Sequence, residues 1–90
     1  MRMPSVKAME TSMTLSISRD MPIMMDYYRE SIEKKVFIGV RGEEEKLLVK
    51  SEEEYTSPIK AFYKINEELI ILTENSIYIV DINIPKKIIK

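Results

Sequence analysis

The chain has 90 residues, 32% of them charged, a net charge of −1, and neither cysteine nor histidine. That length allows one domain with a small core, and the near-zero charge supplies no whole-molecule pull toward nucleic acid or an anionic membrane. Lack of cysteine and histidine excludes disulfides, an ordinary zinc site and the Ser–His and Cys–His nucleophiles, so added stability is expected from oligomerisation or ion-pair networks.

Residues 1–12 show no hydrophobic period and read as a flexible Met-rich arm; all seven methionines fall in the first 25 residues. "MTLSIS" (13–18) alternates Leu15 and Ile17 with polar residues, the pattern of a strand. Asp20 then stands where an N-cap would, with Pro22 near a first helical position. Over 22–35, Met24, Tyr28 and Ile32 recur at spacing four, which predicts a helix. Arg29 with Glu33, and Glu30 with Lys34, form opposite-charge pairs on its wet side.

From Val36 the period becomes two. "VFIGVR" (36–41), "KLLVK" (46–50), "IKAFYKI" (59–65) and the hairpin "LIILTENSIYIV" (69–80) predict a five-stranded antiparallel meander. Pro85 ends the last strand, and 86–90 reads as a basic tail. The expected class is α+β: an antiparallel β-meander with one packed helix and a flexible N-terminal arm, the single domain spanning 13–85.

Two surfaces follow from that layout. The helix is expected to cover a face made by Val36, Ile38, Val40, Leu47, Val49, Ile59, Ala61, Tyr63 and Ile65. The last hairpin is apolar on both sides, so Ile70, Leu72, Tyr78 and Val80 need a cover: the Met-rich arm, the sheet curling into a small barrel, or a partner protein, with a second copy of the chain in a homodimer favoured. The opposite face of the first three strands carries Phe37, Arg41, Lys46, Lys50, Lys60, Phe62 and Lys64. Aromatic rings among basic residues suit single-stranded nucleic acid, the rings stacking on bases and the cations meeting phosphates.

Other constellations point away from chemistry. The Glu triplets of "GEEEKLLVKSEEE" lack the oxygen spacing and glycine of a Ca²⁺ loop and read as solvated turns. Methionines at helical spacing read as core filler before they read as Cu(I) ligands. Gly39 and Gly42 are the only glycines, and "GVRG" matches no nucleotide loop. No enzyme activity, metal or cofactor is expected.

"TLSISRDMPIMMDYYRESI" (14–32) resembles the opening of a ribbon-helix-helix DNA-binding protein, an alternating strand followed by a helix. The resemblance covers nineteen residues and implies dimerisation through the strand, with Thr14, Ser16 and Ser18 toward bases. "VFIGVRG" reads as strand where that family has its second helix.

Glutamine is absent and Ile, Lys and Glu are abundant, the bias of a thermophile; an AT-rich genome gives a similar bias toward Ile and Lys. No apolar run reaches the length of a membrane span, and "MRMPSVKAMETSM" lacks a signal-peptide core. The expectation is a soluble, cytoplasmic, non-catalytic accessory or regulatory protein. It acts by binding a protein through its sheet or, alternatively, by binding single-stranded nucleic acid.

Overall fold

The computed structural model describes residues 3–89. Among the described residues, two helices and seven strands build an α+β fold with two sheets. Residues 1, 2 and 90, which belong to the expected arm and tail, lie outside the described residues.

Helix α1 runs Val6–Arg19, through the segment expected as an arm and a strand. Its start is a side-chain cap: the Ser5 hydroxyl accepts the Ala8 N–H at 3.2 Å. Its end is Asp20, whose φ of 54° puts it in the left-handed region, so Asp20 closes α1 rather than opening the next helix. The strand expectation failed because α1 hides small residues. Ala8 and Ser12 are buried and Leu15 packs beside them, while Val6 (76% exposed) and Ile17 (83% exposed) face solvent. Apolar alternation at 13, 15 and 17 therefore reports one inward residue flanked by two outward ones. The Thr14 hydroxyl donates to the Glu10 carbonyl and that of Ser16 to the Met21 carbonyl. A helix in this place removes the ribbon strand, so the ribbon-helix-helix resemblance does not hold.

The expected helix over 22–35 is shorter and begins later. Strand β1 (Ile23–Met24) pairs in parallel with β6 (Ile77–Asp81), and the Pro22 carbonyl accepts the Ile77 N–H at 2.9 Å. Helix α2 spans Tyr28–Ile32 and ends in a two-bond motif, Lys35 N–H to the Glu30 carbonyl and Lys34 N–H to that of Ser31. That motif holds Lys34 at φ 60°. Ser31, fully buried, ties α2 to the sheet: its hydroxyl accepts the Asp81 N–H at 2.9 Å and donates to the Tyr28 carbonyl.

Strands β4 (Ile59–Ile65), β5 (Glu68–Thr73) and β6 are antiparallel neighbours, and with β1 they form a sheet in the order β1-β6-β5-β4. Strands β2 (Phe37–Arg41) and β3 (Glu45–Val49) form a hairpin. The expected basic tail is strand β7 (Lys86–Ile89), parallel to β2, which completes a second sheet in the order β3-β2-β7. The meander is thus replaced by two mixed sheets. Parallel pairings such as β2 with β7 join residues far apart in the chain, which local periodicity does not encode.

The layers explain how both sides of the β5-β6 hairpin are buried. Ile70, Leu72 and Ile77 pack with Ala8 and Leu15 of α1. Leu69, Ile71 and Val80 pack against Ile38 and Leu48 of the second sheet, with Tyr27, Val36 and Ile84. Each aliphatic buried this way stabilises the fold by roughly 1.5–3 kcal/mol. Ile70, Leu72 and Val80 are therefore interior, and Tyr78 lies half-buried with its ring 5.4 Å from that of Tyr27. The four residues expected at a partner or dimer interface are used inside one chain.

Register divides the other expected face. A three-residue turn with Gly42 at φ 69° sets Arg41 opposite Glu45, hence Ile38 opposite Leu48. One step in register exchanges faces: Leu48 turns inward with Ile38, while Leu47 and Val49 turn outward with Phe37. Ala61, Tyr63 and Ile65 belong to the other sheet, on its α1 side.

Candidate functional site

The residues proposed for nucleic acid do not share one surface. Three are engaged with acids. Lys50 lies 3.3 Å from Glu30 and 3.8 Å from Glu54, with its ammonium 5.5 Å from the centre of the Tyr27 ring. The hydrogen bond that Lys50 donates to the Glu30 carboxylate raises the pKa of Lys50. That of Glu30 is lowered, first by its own backbone N–H and then by Lys50. Lys60 pairs with Glu74 at 3.4 Å, and Arg41 forms a short ion pair with Glu45. Phe37 faces outward on the second sheet, its ring covered by Lys87 at 4.9 Å.

The other three converge. Lys46 on β3 and Phe62 and Lys64 on β4 meet at a cleft between the two sheets, joined by Lys86 from β7. The cleft has a volume of about 370 Å³, with a floor of Ile38, Leu69, Ile82 and Ile84. The Lys46 ammonium stands 5.7 Å from the centre of the Phe62 ring, and Phe62 is 37% exposed. Among the described residues no carboxylate lines the cleft, and none pairs with Lys46, Lys64 or Lys86.

The backbone explains this gathering. Register turns Lys46 inward: it stands opposite Val40, on the face shared with Ile38 and Leu48. Phe62 stands opposite Ile71 and Lys64 opposite Leu69, on the face turned to the second sheet. Lys86 pairs with Ile38, so it lies on that same inner face. Sequence reading missed Lys86 because the segment looked like a tail. Its one available signal was "KKIIK", two apolar residues that a free tail does not need.

Such a cleft offers three cations, an aromatic face and an apolar floor. It suits an anion that carries a flat apolar group. Its volume, at the low end for small-molecule sites, matches about one nucleotide. Among the described residues there is no group of three or more acidic side chains placed to hold a metal ion, and no helix is long and apolar enough to cross a membrane.

A second groove lies on the outer face of the sheet β3-β2-β7. Leu47, Val49, Phe37, Tyr55 and Ile89 line it, with Arg41 at one end and Ser51 and Glu52 at the other, enclosing about 670 Å³. Two of its lining residues pack over Gly39: a Cβ there would come within 2.8 Å of Ile89 Cδ1 and 3.0 Å of Val49 Cγ2.

The chain matches no family model, and no curated protein or solved structure matches it.

Proposed function

We infer that this is a non-catalytic accessory protein that binds single-stranded nucleic acid, one nucleotide at a time entering the cleft between its sheets. One observation carries the reading: three cations that no acid engages among the described residues, Lys46, Lys64 and Lys86, surround a half-exposed aromatic ring. A base stacks on Phe62, a contact worth about 1–3 kcal/mol. The lysines neutralise the flanking phosphates. The protein-partner alternative loses its original support, because Ile70, Leu72 and Val80 are interior.

Salt dependence tests this directly. Three neutralised phosphates on a single strand give a log–log slope of about −2, a roughly 20-fold loss of affinity between ~50 and ~200 mM salt. Fluorescence anisotropy with labelled single-stranded RNA, single-stranded DNA and duplex DNA should show that loss for the single strands. Phe62→Ala and Lys64→Ala should weaken binding, whereas Lys60→Ala, on a side chain paired with Glu74, should not. No binding at low salt, or equal losses for the Lys60 and Lys64 variants, would rule the cleft out.

A further inference from the structure

Among the described residues, three lysine ammonium groups lie over aromatic rings, and they differ in what else holds them. Lys50, over Tyr27, is also gripped by Glu30 at 3.3 Å and Glu54 at 3.8 Å. Lys87, over Phe37, stands outside the lysine cleft. Lys46, 5.7 Å from the centre of the Phe62 ring, meets no carboxylate among the described residues. Both Lys46 and Phe62 line the cleft, so the ammonium occupies space that a base stacked on Phe62 needs.

Resting on the nucleotide reading of this cleft, we propose that Lys46 is its specificity-determining residue. The ammonium covers Phe62 in the free protein, and a phosphate draws it off the ring as a base stacks there. The cleft thereby selects nucleotides, free or as units of a strand, against neutral aromatic molecules.

An exposed ring above an apolar floor would by itself take any flat aromatic molecule. The other lining side chains do not discriminate: none is a carboxylate, amide or hydroxyl that could read a base edge. Lys46 supplies the difference. A neutral base pushes the ammonium into water and forfeits the cation–π contact, roughly two- to fivefold in affinity. A nucleotide displaces it too, but recovers the loss when the same ammonium pairs with its phosphate. A lysine has the reach for this exchange, with three donors on a flexible four-carbon stem. Lys50 could not make it, because two carboxylates already hold its charge. Lys64 and Lys86 stand over no ring among the described residues, so they attract phosphate without guarding Phe62.

Nuclear magnetic resonance titration of the whole chain with adenosine and with adenosine monophosphate, at low ionic strength, tests the exchange. Dispersed amide spectra confirm that each variant folds. Phe62 and Phe37 are the only phenylalanines, so the Phe62 ring signals are read against those of a ring outside the cleft. In the free wild type the Lys46 ε-methylene signal should lie upfield, and Phe62→Leu should return it to the ordinary lysine position. Lys46→Met keeps the stem and removes the charge. It should tighten adenosine roughly two- to fivefold, by uncovering the ring. It should leave adenosine monophosphate within about twofold, because the lost ion pair offsets the freed ring. Lys64→Met should leave adenosine unchanged and weaken adenosine monophosphate. Adenosine binding that Lys46→Met weakens or leaves unchanged overturns the proposal, as does a Lys46 signal that Phe62→Leu does not move. If the wild type binds adenosine monophosphate and single strands while the Lys46 and Lys64 variants behave alike, the cleft reading stands and the exchange falls. If the wild type binds neither, both fall.

Discussion

Two buried serines should respond to the same substitution with opposite sign. Ser31 and Ser12 are both fully buried. The Ser31 hydroxyl accepts the Asp81 N–H and donates to the Tyr28 carbonyl, joining α2 to the edge of the core. Ser31→Ala takes both away. A buried donor deprived of its acceptor costs about 1–3 kcal/mol, so the expected loss is about 2 kcal/mol, or roughly 10 °C in melting temperature for a chain of this size. The Ser12 hydroxyl has no hydrogen-bond partner among the described residues. Ser12→Ala removes a buried polar group that costs about 1–3 kcal/mol to desolvate, and alanine favours the helix by up to roughly 0.5 kcal/mol. The small void left by one oxygen returns part of that gain, leaving a stabilisation of about 1 kcal/mol. Urea unfolding gives both values as shifts in midpoint at constant slope. If the Ser12→Ala midpoint falls below that of the wild type, the packing of α1 on the sheet described above is wrong.

The remaining expectations concern a helix end and a tyrosine. Lys34→Gly should stabilise the chain by about 1 kcal/mol, because the α2 end motif holds this residue at φ 60° and glycine adopts that conformation without strain; an unchanged or lower urea midpoint would contradict that assignment. Burial, followed by the nearby Tyr78, Glu54 and Asp26, pushes the Tyr27 phenol up from 10.0 to about 12. The neutral phenol is thus favoured in the folded state, and the resulting stability is complete below pH ~10, declines above it, and is lost as the pH passes about 12. Tyr27→Phe should remove a step near pH 12 from an ultraviolet phenolate titration. Loss of amplitude near pH ~10, the ordinary tyrosine range, would instead place Tyr27 in solvent.

The central strands were legible because their signals are local. Period-two alternation and turn residues placed β4 at 59–65, its observed span, and the other central strands within a residue or two. The absence of cysteine and histidine likewise needs no structure to restrict the chemistry. The N-terminal third was misread where large apolar residues point outward. α1 contacts the sheet through Ala8, Ser12 and Leu15 and leaves Val6, Met13 and Ile17 in water, so hydrophobic spacing pointed to the wrong element.

By itself the sequence determined the α+β class, the positions of the hairpins and the stock of basic and aromatic residues from which a site must be drawn. Tertiary structure alone decided which of them meet. Pairing of β7 with β2 brought Lys86 to Lys46 across forty residues of chain, and the Gly42 turn chose the register that turned Lys46 inward and Phe37 outward. Both outcomes depend on contacts between distant segments. A strand's own pattern tells which of its residues share a face, but the partner strand decides what that face meets.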